Sequence, residues 1–375
     1  MKRLADGPKR VVVAMSGGVD SSTVAGLLVE AGHEVIGVMM KLYDQSKGDA
    51  DAGKQCCGLD DVADARRVAD QLGIPFYLGN YQSVFQNDVV DRFIGDYASG
   101  RTPNPCVRCN DTVKFKSLLR QAQMLGADYL ATGHYARTVV EEDGAVSLWK
   151  GVDASKDQTY FLAGMSREAL AKVVFPLGDM TKDEVREHAK RLALVTAKKR
   201  ESQEICFVPN DDYAAYLEGE AAESLPGPGP IVSLDGLRIG QHKGLHRYTV
   251  GQRKGLGIAG AHARYVVGLD TTSNALVVGT REDVSFSGLW ADDERWLSPK
   301  PGSEWRAIQA RIRHRSKSVP ASLRRDDSGR LEVWFEKPVM AVSAGQQVAF
   351  YRGDQVLGAA TIEGPLDASE RVEHG

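Results

Sequence analysis

Residues 16–22 read Ser16-Gly17-Gly18-Val19-Asp20-Ser21-Ser22, an order of residue types suited to gripping a phosphate. Adjacent glycines let the main chain turn tightly and offer N–H groups to an anion. A helix starting just after them adds partial positive charge and unpaired donors. Ser16, Ser21 and Ser22 supply hydroxyls, and Asp20 supplies a carboxylate for a magnesium ion on the phosphates. No lysine follows the glycines, so this is not a Walker loop. Two other segments suit the same ligand. Met40 offers an apolar side chain to flank adenine, and in Ala131-Thr132-Gly133-His134 the glycine admits close backbone approach while His134 faces the cleft. Each has a plainer alternative: a glycine-rich turn, a core methionine, a structural histidine.

Thiols are the second chemistry-bearing set. Cys106 and Cys109 lie in Arg101-Thr102-Pro103-Asn104-Pro105-Cys106-Val107-Arg108-Cys109-Asn110, which reads as a turn-rich loop. Arg101 and Arg108 flank the thiols, and nearby cations favour the thiolate against an ordinary pKa of about 8.5. Cys206 sits in the apolar triplet Ile205-Cys206-Phe207, where plain burial is the alternative. Half a zinc site is the alternative for Cys106 and Cys109, but no second pair completes it. Cys56 and Cys57 receive no role. Five cysteines in a chain of 375 residues without an export signal argue against a disulfide framework.

The elements that must position these groups alternate in the first half. Strand signals at Val11–Met15, Glu34–Met40, Phe76–Leu78 and Tyr129–Ala131 are separated by helical periodicity at Ser21–Glu30, Asp60–Leu72 and Lys114–Leu125. That alternation predicts a doubly wound parallel sheet with helices on both faces, ligands meeting it beyond the carboxyl ends of the strands. After Pro209 the texture changes. Pro226–Pro230 reads as a linker or turn cluster, and short strands follow at 231–234, 265–269, 275–278, 307–312, 331–335 and 347–351, as in one or two small barrels. The tail after Pro365 is polar and expected to fray.

Length predicts two or three domains with ample core. No apolar run is long enough for a secretory signal or a membrane span, so the cytoplasm is expected and no membrane partner is. Net charge is −3, which excludes a generic polyanion binder, yet cations cluster. There are seven Lys or Arg and no acid within 306–325, and five and no acid within 236–254. Such stretches supply local positive potential for phosphates, or are merely solvated surface.

Several motifs together carry a resemblance. The loop SGGVDSS looks like the pyrophosphatase (PP) loop of enzymes that split ATP between its α and β phosphates. With RTPNPCVRCN, KFK (114–116), ATGHYAR (131–137), KDQTYFL (156–162), LVTAKK (194–199), ICF and TVGQRKGLGI (249–258), in that order, the chain resembles the tRNA-specific 2-thiouridylase family. The likeness spans nearly all of it and weakens in the last domain.

The resemblance implies an adenine nucleotide alpha hydrolase-like ATP-binding domain over 8–212, a small central domain over 213–285 and a C-terminal β-barrel over 286–368. It implies ATP- and Mg²⁺-dependent conversion of the wobble uridine to 2-thiouridine in tRNAs for Lys, Glu and Gln, bound by their anticodon arm. Cys206 would carry a persulfide delivered by a cysteine desulfurase or sulfur-relay protein, with Cys109 as its partner thiol. Ala14, Met15, Ser16, Gly17, Gly18, Val19, Asp20, Ser21, Met40 and Gly133 would bind ATP. Asn104, Pro105 and Cys106 would meet the target base. Lys156, Asp157, Gln158, His134, Gln346, Arg313 and His314 would contact the tRNA.

One departure stands out: many members carry Asp where this chain has Cys106. The change leaves three thiols, Cys106, Cys109 and Cys206, a set able to hold a [4Fe–4S] cluster with one open iron. An iron–sulfur thiolase is therefore one alternative. Others are a PP-loop ligase or amidotransferase-like synthetase using nitrogen, and an RNA-binding protein whose loop has lost its chemistry.

Overall fold

The computed structural model describes Leu4 and residues 7–43, 59–200, 205–258 and 262–366. Cys56, Cys57 and the tail beyond Leu366 lie outside these. The chain forms two compact units. The first comprises Met1–Val90, Pro105–Asp212 and Asp354–Leu357; the second comprises Asp91–Asn104, Tyr213–Gly353 and Gly358–Gly375.

In the first unit, β1 (Arg10–Ala14), β2 (Glu34–Lys41), β3 (Phe76–Asn80), β4 (Tyr129–Ala131) and β7 (Val173–Val174) build one parallel sheet in the order β3-β2-β1-β4-β7. Val11, Val12 and Val13 of β1 are fully buried, the continuous apolar run of a central parallel strand covered on both faces. β1 runs in register with β2 (Val11 opposite Val35) and with β4 (Val11 opposite Tyr129), so residues 15–22 and 132–134 emerge at the same strand ends. Helix α1 (Val19–Glu30) is buried from Val19 through Leu28 except for Asp20. It packs on the helix Lys182–Arg191, where Gly26 leaves room for Leu192.

Two expectations are corrected here. RTPNPCVRCN is not all loop, and the helix does not begin at Lys114. Helical turns start at Pro105 (Pro105–Arg108), continue as wider π-type turns over Cys109–Leu118 and end with Leu119–Met124. Proline is tolerated at a first helical position because its missing N–H has no intrahelical partner to lose. The hairpin β5 (Ala136–Val140) and β6 (Val146–Lys150) went unread; β6 also pairs with Gln355 and Val356.

In the second unit, β8 (Gly229–Ser233), β9 (Arg238–His242), β10 (Tyr265–Asp270) and β11 (Ala275–Gly279) form a four-stranded sheet in the order β10-β11-β8-β9. Gly229 and Pro230 belong to β8, so the Pro226–Pro230 cluster is only partly a linker. A Cβ at Gly229 would come within 2.1 Å of the Asn274 carbonyl oxygen. The last strands are β12 (Ser285–Trp296), β13 (Arg306–Arg311), β14 (Val319–Arg325), β15 (Leu331–Met340), β16 (Gln347–Arg352) and β17 (Gln355–Leu366). They run in the order β12-β15-β14-β13-β16-β17, and β12 pairs back onto β17 to close a barrel.

Among the described residues, no helix is long and apolar enough to cross a membrane.

Candidate active site

The glycine loop has the geometry an anion needs. Gly17 adopts φ +70°, and a Cβ there would lie 2.3 Å from the Asp61 carbonyl oxygen, so neither conformation nor space admits a side chain. Gly18 is the N-cap of α1 in an extended conformation, with no side chain capping the helix. Among the described residues, no N-cap side chain takes up the first-turn amides. Ser21 Oγ accepts from the Ser16 amide at 3.1 Å and lies 3.2 Å from Ser16 Oγ, closing the loop on itself. Met15 and Val19 are buried in the core beneath, which leaves their main chain as what they can offer a ligand. Ser22 is a correction: it is fully buried and its hydroxyl donates to the Gly18 carbonyl at 2.8 Å, so it is no phosphate donor.

Asp20 is half-buried and already has partners. Lys182 Nζ lies 2.7 and 2.8 Å from its two carboxylate oxygens, and the Tyr135 hydroxyl donates to Oδ1 at 2.9 Å. Lys182 also stands 5.6 Å from the Tyr135 ring centroid, within cation–π reach. Sequence reasoning missed Lys182 and Tyr135. A usable signal was Thr181-x-x-Glu184, a capping box that starts the helix and fixes Lys182 in its first turn.

Gly133 lies against the loop. A Cβ on Gly133 would meet Asp20 Cβ and the Ser21 amide nitrogen, both at 3.0 Å, so the glycine is needed for contact with the loop itself. Met40 is half-buried at the end of β2, whereas its neighbour Met39 is core. The His134 ring packs against Phe115 and Phe175, its Nδ1 2.8 Å from Thr132 Oγ1. Burial, then the Lys114 charge, holds His134 well below the usual imidazole pKa.

The cysteines depart from expectation in their electrostatics. Cys109 is buried, and burial pushes its thiol pKa up; Lys114 is the cation that opposes this. The flanking arginines are engaged elsewhere. Arg101 makes a bidentate pair with Glu363, and Arg108 donates to the Asp88 carbonyl and lies 3.8 Å from Asp111. Lys114 thus bears on both Cys109 and His134, a role the sequence pattern did not reveal.

Cys106 and Cys206 are half-buried, and none of the three thiols is in a disulfide. Phe207, next to Cys206, packs edge-on against Phe85, with centroids 5.5 Å apart. The turn bearing Phe85 packs in turn against the helical segment that begins at Cys109.

Other candidate residues serve the fold as well. Asp157 is buried and accepts from the Thr159 amide and hydroxyl, just ahead of the short helix Thr159–Leu162. Gln158 accepts from the Tyr135 amide at 3.0 Å, while Lys156 is half-buried. Arg313 donates to the Val250 and Ala341 carbonyls and to Ser343 Oγ; His314 beside it is half-buried. Gln346 Nε2 donates to the Thr102 and Pro103 carbonyls, holding the chain that leads through Asn104 into Pro105.

Among the described residues, no three His, Cys, Asp or Glu side chains are gathered so as to hold a metal ion. Cys106, Cys109 and Cys206 as arranged do not fit a [4Fe–4S] cluster.

The chain matches families along its length. Residues 9–210 match the family described as tRNA methyl transferase HUP domain. Residues 215–280 match its PRC-barrel domain, and 286–362 the aminomethyltransferase beta-barrel domain. Three curated relatives are each named tRNA-specific 2-thiouridylase MnmA. That of Geobacter metallireducens is 51% identical over 362 residues, covering 96% of this chain and 98% of the relative. That of Geotalea uraniireducens is 49% identical over 371 residues, covering 98% of each. That of Magnetococcus marinus is 48% identical over 355 residues, covering 95% and 99%.

Proposed function

The chain belongs to the tRNA-specific 2-thiouridylase family, and on that premise we propose that it thiolates C2 of the wobble uridine in tRNAs for Lys, Glu and Gln at the expense of ATP. The family description speaks of methyl transfer, but the residues favour sulfur. A glycine loop suited to pyrophosphate, together with the free thiols of Cys109 and Cys206, is the equipment of sulfur transfer and has no use in methyl transfer.

A uracil carbonyl oxygen is a poor leaving group. In the proposed reaction O2 attacks the α-phosphate of ATP, pyrophosphate departs into the Gly17–Gly18 cradle, and the base carries AMP. The terminal sulfur of a Cys206 persulfide then attacks C2 and AMP leaves. The Cys109 thiolate attacks Cys206 Sγ, breaking the S–S bond, so that the base keeps the outer sulfur and a Cys109–Cys206 disulfide remains. A dithiol reductant restores both thiols, and a cysteine desulfurase or relay protein reloads Cys206.

Magnesium would arrive on the ATP phosphates. Asp20 is the loop carboxylate that would meet it, and Lys182 already supplies positive charge there. Asn104, Pro105 and Cys106 would face the base, while Lys156, His314 and the basic stretches would face the tRNA backbone.

The observation that carries the reading is the uncapped α1 N-terminus behind a glycine whose φ and surroundings exclude any side chain. The test is thiolation itself: ATP, magnesium, a sulfur donor and unmodified tRNA, read by retardation in a mercury-containing gel. Wild-type protein retards the tRNA, and Cys109→Ser and Cys206→Ser do not. Turnover of ATP that survives both substitutions, without thiolated tRNA, would instead mark a nitrogen-using ligase.

A further inference from the structure

The segment that leads into the Cys106 helix is held from an unexpected quarter. Asp91–Asn104 belongs to the second unit, whereas Pro105 onward belongs to the first. Within the second unit, the Thr102 amide donates to the Ala344 carbonyl at 2.8 Å. Gln346 Nε2 donates to the Thr102 carbonyl at 3.0 Å and to the Pro103 carbonyl at 3.3 Å. Arg101 NH1 and NH2 meet Glu363 Oε2 and Oε1 at 3.0 and 2.8 Å, the bidentate geometry that fixes direction as well as distance. The anchor is itself tied down. The Gly345 amide donates to the Ile362 carbonyl, and the Ile362 amide to the Gln346 carbonyl, both at 2.8 Å. Gly345 has φ +87°, and a Cβ there would stand 3.0 Å from Arg101 Cβ and the Thr102 nitrogen.

A glutamine amide nitrogen within hydrogen-bond distance of two consecutive carbonyls of one loop is a clamp on that loop's backbone. We infer that Gln346 and the Arg101–Glu363 pair form a latch that fixes Thr102–Asn104, making all three positioning residues for the base-facing loop. The inference rests on the reading that Asn104–Cys106 meet the uridine. It gives Gln346 a role separate from touching tRNA: the barrel end of the chain sets the conformation in which the loop meets its base. Misplacement of a reacting group by about 1 Å can cost on the order of a hundredfold in rate, so a loosened loop is expected to cost turnover before it costs tRNA affinity.

The test uses the full chain with Gln346→Glu, Arg101→Glu, Glu363→Arg and the exchanged pair Arg101→Glu/Glu363→Arg. Gln346→Glu keeps size and one acceptor but removes both donors. Three quantities are read: single-turnover thiolation rate, tRNA Kd, and the iodoacetamide labelling rate of Cys106 located by mass spectrometry. The latch predicts a rate loss of about tenfold or more in each single variant, tRNA Kd within about twofold of wild type, and faster Cys106 labelling. The exchanged pair recovers rate and labelling relative to its parents. Single variants with wild-type rate and wild-type labelling overturn the latch. So does weakened tRNA binding at unchanged rate, which would make Gln346 a tRNA contact only. Wild-type protein that makes no 2-thiouridine sinks the proposed reaction instead, and the labelling comparison, which needs no substrate, still decides the latch.

Discussion

Lys182 Nζ reaches both carboxylate oxygens of Asp20, at 2.7 and 2.8 Å, across 162 residues of sequence. The lysine side chain is only 9% exposed, so the pair closes one flank of the glycine loop. Removing one member of a buried pair leaves a stranded charge, at a cost of about 3–5 kcal/mol when fully buried and less here, where Asp20 is 29% exposed. Lys182→Met and Asp20→Asn are each expected to lower unfolding free energy by about 1–3 kcal/mol and to weaken ATP binding. The double variant should lose less than the two singles together, as expected for coupled neighbours. Strict additivity in chemical denaturation would deny the coupling.

Gly133→Ala places a methyl 3.0 Å from Asp20 Cβ and the Ser21 nitrogen, and Gly17→Ala places one 2.3 Å from the Asp61 carbonyl oxygen at φ +70°. Overpacking of this kind typically costs about 1–3 kcal/mol. Titration with ATP should show Gly17→Ala the more damaged of the two, because its backbone conformation is strained as well. Gly133→Ala binding ATP as tightly as wild type would show that the loop yields without consequence.

Cys109 titrates above the ordinary thiol range because it is buried, with Lys114 pulling the other way. A thiol whose folded pKa is raised keeps its proton longer in the fold than in the unfolded chain. Its contribution to stability is present below the unfolded pKa and fades as pH rises past it. Alkylation of Cys109 should lag behind that of half-buried Cys206 near neutrality and accelerate in alkali. Lys114→Ala should slow it further; equal rates for both thiols at neutral pH would contradict the burial argument.

His134 carries the opposite sign. Its pKa lies well below 6.5 through burial and the Lys114 charge, so folding favours the neutral ring. Stability from this group is complete above the unfolded imidazole pKa and declines as pH falls below it. In ring-proton NMR, His134 should remain neutral at pH 6.5 and well below it; a transition at or above the ordinary imidazole value would refute this.

The sequence was most legible where local rules sufficed. The valine run of β1 and the apolar spacing of α1 announced a strand, a turn and a helix; the turn is residues 15–18, and the helix begins at Val19, two residues before the Ser21 start read from the sequence. Gly133 was read as a point of close approach to the nucleotide, whereas what its missing side chain makes room for in the fold is Asp20 and Ser21. What escaped depends on distant partners. Lys182 meets Asp20, Lys199 bridges Asp61 and Asp64, and Gln346 meets Thr102, each over a separation that no periodicity encodes. The charge on Cys109 was misjudged because the flanking arginines, adjacent in sequence, point to Glu363, Asp88 and Asp111.

Strand β17 contributes Gln355 and Val356 to the hairpin of the first unit and Gly358 onward to the barrel of the second. A nascent polypeptide therefore cannot finish its first unit until almost its whole length has left the ribosome. A fragment cut at Asp212 would expose the hydrogen-bonding edge of β6 at Leu148 and Trp149, inviting aggregation instead of yielding a free-standing nucleotide-binding module.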